Sequence, residues 1–261
     1  MISSLGAEGS PLLDSIRISK QLEKDKDFVK QAEKLASCCK YKNLFLGEDG
    51  FIEIGKGCGY RICNYCSKVR ANFYYKQFID YLKIKNIPKF FNGKGLRFMT
   101  LTIKNEKDMI YGINKFYDSF TKLKRRSYFK EKVSGGIGTL EIKKGEDKLW
   151  NIHGHFIIDS LYLDMKSHKK SGGDSKLVQE WKHCTKDSGI LDVRKIRDHE
   201  GALGYVLKYF TKGIYDLSAE EKVEFFKLTY KRRLIFTFRD FYKIKRPKKK
   251  SKLKYVLPWS E

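Results

Sequence analysis

Tyr205, Lys208, Tyr209 and Lys212 recur at i, i+3, i+4 and i+7. The spacing predicts a helix over Gly201 to Lys212 with these four side chains on one stripe. Leu203, Val206, Leu207 and Phe210 form the opposite, apolar stripe that packs such a helix on a core. Two phenols one turn apart lie roughly 6 Å from each other along the axis, so either can attack at one site, with lysines beside them for phosphate charge. The same pattern also suits tyrosines at the rim of an amphipathic helix.

A second constellation is Trp150-Asn-Ile-His153-Gly-His155-Phe-Ile-Ile-Asp159. As a strand it projects His153 and His155 to one face and Ile152, Phe156 and Ile158 to the other. Two imidazoles on one face with an added carboxylate suit Mn²⁺ or Mg²⁺. Glu141, on a preceding strand joined by a tight turn, is the natural third ligand. Three protein ligands leave positions open for a phosphate oxygen, so this is a catalytic type of site.

The third is cysteine-based: Cys63 and Cys66 form a CxxC pair, Cys58 sits five residues earlier, and Cys38 or Cys39 can add a fourth thiolate. Four thiolates suit tetrahedral zinc with no open position, hence a structural role. The competing reading is a set of reduced, buried thiols acting as small hydrophobes. Arg61, Lys68 and Arg70 surround the knuckle with positive charge.

Composition fixes the class of partner. Of 261 residues 55 are Lys or Arg against 31 Asp or Glu, a formal net charge of +24. Such an excess favours a polyanion through counterion release and points to nucleic acid. Aromatics at 14% and hydrophobics at 41% mark a globular chain. No apolar run of about 18 residues spans a membrane and no secretory signal opens the chain, so a location in the host-cell cytoplasm is expected.

The elements that must carry these groups follow in order. Residues 1–36 read as a peripheral arm, helical from Asp25 to Leu35, and 37–92 as a cysteine module that turns helical from Lys68 to Ile84. Residues 93–215 read as a core. Strands are expected over Lys94 to Lys104, Gly135 to Lys144, Trp150 to Asp159 and Leu191 to Ile196. Helices are expected over Asn105 to Tyr128 and Lys176 to Thr185, the latter with Trp181 buried. Residues 216–261 add a helix over Ser218 to Tyr230, an apolar stretch at Leu234 to Phe238 and a basic tail from Lys243 to Lys254, read as a DNA clamp or a solvated tail.

In this order the motifs resemble those of the HUH endonucleases, and within them the initiators of rolling-circle replication. Phe98-Met-Thr-Leu-Thr-Ile-Lys-Asn105 looks like the first family motif and Ile152-His-Gly-His-Phe-Ile-Ile158 like the metal-binding second. Tyr205-Val-Leu-Lys-Tyr-Phe-Thr-Lys212 looks like the third motif of the two-tyrosine group, typified by gene A proteins of small single-stranded DNA phages. The cysteine module resembles one found ahead of the core in many plasmid initiators, and Gly138-Thr-Leu-Glu-Ile142 the segment holding their acidic ligand. One departure is that Tyr205 stands where many plasmid initiators carry an acidic residue.

The resemblance implies an α+β fold: a ferredoxin-like (RRM-like) core with a central antiparallel sheet and flanking helices, plus the small zinc-binding module. It implies a nicking and joining enzyme that cuts single-stranded DNA at a replication origin, a hairpin. Tyr209 or Tyr205 would form a 5′-phosphotyrosine, aided by Lys208 and Lys212. His153, His155 and Glu141 would hold Mn²⁺ or Mg²⁺, and Arg61, Arg70, Lys104, Thr100 and Thr102 would contact DNA. A host helicase and polymerase are the implied partners. Two other classes share these residues: a two-tyrosine transposase, and a non-enzymatic, basic, zinc-containing nucleic-acid-binding protein.

Overall fold

The computed structural model describes residues 11–38, 40, 42–47, 50–72, 95–163, 174–196, 217–242 and 254–256. The chain forms two compact units, one of Met1–Arg70, Tyr215–Lys227 and Arg246–Glu261, the other of Ala71–Ile214 and Leu228–Lys245.

The larger unit is built on a five-stranded sheet. Its strands are β3 (Gly95–Thr102), β4 (Val133–Lys144), β5 (Trp150–Ser160), β6 (Leu191–Lys195) and β7 (Ile235–Arg239), in the spatial order β6-β3-β5-β4-β7 with every neighbouring pair antiparallel. Helix α3 (Met109–Arg125), followed by the short α4 (Ser127–Lys132), lies between β3 and β4, and α5 (Lys176–Thr185) lies between β5 and β6. This is the β-α-β-β-α-β succession with the first and third strands side by side at the centre, the ferredoxin-like arrangement. Strand β7 extends it beyond β4.

One face of that sheet is the core. Met109, Ile113, Phe116, Phe120 and Leu123 recur at helical spacing on α3 and are all buried. Phe120 stacks on Phe156 of β5 at 4.6 Å and meets Phe238 of β7 edge-on at 5.3 Å, while Trp181 of α5 meets Phe116 at 5.8 Å. The helix starts four residues later than its hydrophobic pattern suggests because the Asp108 side chain accepts from Tyr111 N and caps it. It stops at Arg125 because Arg126 is extended. The carbonyls left at the ends of α3 and α4 find a donor in Arg239, whose guanidinium reaches Lys124 O at 2.7 Å, Lys130 O at 3.2 Å and Val133 O.

The smaller unit contains α1 (Pro11–Leu22), α2 (Val29–Ala36), a three-stranded sheet and the start of α6 (Ala219–Thr229). In that sheet β1 (Lys42–Gly47) lies between β2 (Gly50–Gly55) and β8 (Lys254–Val256), antiparallel to both. Helix α1 and this sheet lie where no such elements are expected from the sequence. Asp14 of α1 ties its neighbours together, receiving Lys222 Nζ at 3.0 Å and Asn64 Nδ2 at 3.2 Å.

Candidate functional site

Register places the second constellation. His153 of β5 stands opposite Thr102 of β3 and Glu141 of β4, and His155 stands opposite Thr100 and Thr139. The central strand therefore carries both histidines, with hydroxyls on one side and the carboxylate on the other. The tight turn after β4, closed by Gly145 N to Leu149 O at 2.8 Å, brings Glu141 across, as expected from the sequence.

The contacts fix both rings. Thr102 Oγ1 lies 2.8 Å from His153 Nδ1, and Thr100 Oγ1 lies 3.2 Å from His155 Nδ1. His155 Nε2 meets Glu141 Oε2 at 2.8 Å, and Phe98 stacks on the His155 ring at 5.7 Å. The two imidazoles stack on each other with centroids 6.1 Å apart. Strand β3 is itself anchored, since buried Trp181 donates from Nε1 to Thr102 O at 2.8 Å.

The electrostatics suit cation binding. Burial would raise the Glu141 carboxyl, but the His155 hydrogen bond and the Lys143 ammonium outweigh it and hold the group at about 2. Burial and the neighbouring His155 push His153 down to about 4, so it is neutral with a lone pair at pH 7. Glu141 Oε1 is buried, with the Lys143 ammonium 3.0 Å away as its charge partner. A buried carboxylate beside two imidazoles held at Nδ1 fits a divalent cation's demand for hard oxygen and Nε2 donors.

The cysteines converge more tightly. Cys38, Cys58, Cys63 and Cys66 are buried, and their sulfurs all lie within 4.8 Å of one another. Cys38 Sγ is 3.5 Å from both Cys63 Sγ and Cys66 Sγ, and Cys58 Sγ is 3.6 Å from Cys66 Sγ. Tetrahedral zinc with Zn–S bonds of about 2.3 Å would set sulfurs about 3.8 Å apart. Backbone amides face them: Gly59 N donates to Cys66 Sγ at 3.2 Å and Cys58 N to Cys38 Sγ at 3.3 Å. Hydrogen bonds from Cys58 and Cys66 pull the Cys63 thiol far down, while Cys58 rises against it. Among the described residues these four form a site that can hold a metal such as zinc. Of the two upstream cysteines, Cys38 takes part, and Cys39 lies outside the described residues.

Other expected site residues are placed singly. Arg61 is half-buried between Cys58 and Cys63, Arg70 is exposed with Nη2 donating to Gly59 O, and Lys104 is exposed just beyond β3. Tyr205, Lys208, Tyr209 and Lys212 lie outside the described residues. Sequence reasoning gave Thr100 and Thr102 a DNA contact and did not find their bonds to the imidazoles. The i, i+2 match of Thr-x-Thr to His-x-His was the available signal. It also missed Lys143, which shares a strand face with Glu141.

The chain matches the family described as Replication protein over residues 50–256, most of its length. It belongs to the Replication protein family. This replication initiator therefore carries a buried four-cysteine site and a five-stranded antiparallel sheet with flanking helices. No curated protein and no solved structure matches it. The initiator class accords with a basic chain of net charge +24, and it speaks against the transposase reading.

Proposed function

We propose that this replication initiator nicks single-stranded DNA at its origin and rejoins it, using a tyrosine as the nucleophile. The observation that carries the reading is the Glu141, His153 and His155 arrangement on adjacent strands, with each imidazole held at Nδ1 by a threonine. In the ligating tautomer Nδ1–H would donate to the threonine hydroxyl and Nε2 would face the metal, which at His155 would take the place of the direct contact with Glu141. Mn²⁺ or Mg²⁺ bound there would supply charge neutralisation at the scissile phosphate.

The chain's own groups do the rest. Tyr209 or Tyr205 attacks phosphorus through its phenolate oxygen; a P–O bond forms to tyrosine and the P–O3′ bond breaks. The 3′-oxygen takes a proton and leaves as a free hydroxyl, and the 5′ end stays on the enzyme. A phenol has a reference pKa near 10, and Lys208 and Lys212 would stabilise its anion and the phosphate charge. The bond energy is conserved, so attack by a later 3′-hydroxyl rejoins strands without ATP. The second tyrosine would cut the regenerated origin while the first still holds DNA. Arg61, Arg70 and Lys104, with the basic tail, would bind the phosphodiester backbone, and a host helicase and polymerase would extend the fork.

The test is a denaturing gel after incubation with single-stranded origin DNA and Mn²⁺. A protease-sensitive DNA adduct is expected from wild type, and none from the Tyr205→Phe/Tyr209→Phe double variant or from His153→Ala. Binding without any adduct under Mn²⁺ or Mg²⁺ would leave a non-enzymatic DNA-binding protein instead.

A further inference from the structure

The Glu141 carboxylate has a second partner besides His155, and that partner is a cation. Lys143 lies two residues further along β4, so both side chains stand on the histidine face of the sheet. Its Nζ is 3.0 Å from Glu141 Oε1, while His155 Nε2 is 2.8 Å from Oε2. An ammonium therefore sits on the carboxylate that a divalent ion would claim.

The two members of this pair differ in freedom. Glu141 is 5% exposed, whereas Lys143 is 39% exposed and swings on a flexible four-carbon stem. An ammonium and a divalent ion repel each other, and beside one carboxylate they compete for the same negative charge. A fixed charge so placed changes a carboxylate's hold on a proton about tenfold or more, and the same field acts on a metal ion. Lys143 neutralises the buried carboxylate while the site is empty and must leave it when the site fills.

The sheet offers the lysine a second position. Register sets Lys143 opposite Asn151, which lies two residues before His153 on the same face. Residues opposite each other on antiparallel strands have Cβ atoms about 4.5–5.5 Å apart, within the reach of a lysine. Asn151 Oδ1 is buried and accepts from no donor among the described residues. A buried amide oxygen without a donor is costly, and an ammonium arriving from Glu141 would satisfy it.

We propose that Lys143 is an exchangeable cation that sets the metal affinity of this site, neutralising Glu141 when the site is empty and moving to Asn151 Oδ1 when a divalent ion binds. The inference rests on the metal reading of Glu141, His153 and His155, and adds Lys143 and Asn151 as positioning residues. The zinc-loaded full chain is titrated calorimetrically with Mn²⁺. Lys143→Met, which keeps the stem and removes the charge, is expected to bind Mn²⁺ about tenfold tighter than wild type. Lys143→Arg, which keeps the charge, is expected to stay within about threefold of wild type. Damage to the fold alone would weaken binding, the opposite direction. Asn151→Leu is expected to weaken Mn²⁺ binding about threefold in the wild-type background and to leave it unchanged beside Lys143→Met. Unchanged or weaker binding in Lys143→Met overturns the inference, as does an equal effect of Asn151→Leu in both backgrounds. His153→Ala separates the two readings. Mn²⁺ bound as tightly without that imidazole lies elsewhere, which sinks the metal reading and this inference with it. Mn²⁺ lost in His153→Ala, but held equally by wild type and Lys143→Met, overturns this inference alone.

Discussion

Gly154, between the two histidines, is expected to be intolerant even of alanine. A Cβ built there lies 2.2 Å from Phe116 Cζ and 2.6 Å from Phe156 Cε2, where carbon contacts settle near 3.5–4.0 Å. Both rings are fully buried and stacked 6.4 Å apart, so neither can swing into solvent. Overpacking of this kind costs about 1–3 kcal/mol, and the entropy alanine removes from the unfolded chain returns roughly 0.5–1 kcal/mol. The net loss is about 1–2 kcal/mol, a fall in Tm of roughly 2–8 °C for a protein of this size. Calorimetry of Gly154→Ala measures it, with Gly95→Ala as the control because nothing lies within 4 Å of a Cβ there. Phe116→Leu, which withdraws the clashing ring, is expected to cost less in the Gly154→Ala background than in wild type. An unchanged or raised Tm in Gly154→Ala refutes the packing argument, and strict additivity with Phe116→Leu would assign the loss to some other contact.

Arg239→Ala strips a charged donor from several carbonyls and is expected to cost about 2–3 kcal/mol in urea unfolding. Lysine there recovers less than half, and full recovery would show that the forked geometry is irrelevant. Chelation, or Cys63→Ser, is expected to abolish stoichiometric zinc and lower Tm, whereas Cys184→Ala, which leaves all four cluster cysteines in place, keeps one zinc per chain; equal zinc in all three proteins refutes the site. Thr102→Val removes the group on His153 Nδ1, and about a 10–100-fold loss of Mn²⁺ affinity is expected by calorimetric titration; undiminished affinity would remove the hydroxyl from the site. Acid is expected to destabilise the protein in two windows. The folded chain holds His153 down to about 4 from 6.5 and Glu141 down to about 2 from 4.5. In each window the unfolded chain binds the proton that the folded one refuses, so stability falls as pH drops. His153→Gln should flatten the upper window, and an unchanged slope there would count against its burial as the cause.

How much of this was legible in the sequence depends on period. The alternation of Trp150 to Asp159 and the Thr-Leu-Thr run carry a period of two, so strands β3 and β5, their inward faces and the histidine face were all readable. Helix α5 was readable end to end, helped by Ser175, whose hydroxyl accepts from Val178 N. Helix α1 was hidden behind a Gly/Ser-rich opening. Strands β1 and β8 were hidden because their partnership joins residues far apart in the chain, which no local pattern reports. Glu141 could be placed beside the histidines from the turn that follows β4, but its contact with His155, diagonal to the register pair His153, comes from side-chain reach and not from spacing.

That pairing of β1 with β8 has a consequence for synthesis. Translation at about 5–20 residues per second puts roughly 10–40 s between the emergence of the two strands, which are about 200 residues apart. During that interval β1 has β2 on one side and a bare row of amides and carbonyls on the other, an edge open to foreign strands. The larger unit, whose five strands are all complete by Arg239, can fold meanwhile. A chain released just short of Arg246 would therefore carry a finished core beside an unfinished small sheet, and that sheet is where its misassembly would begin.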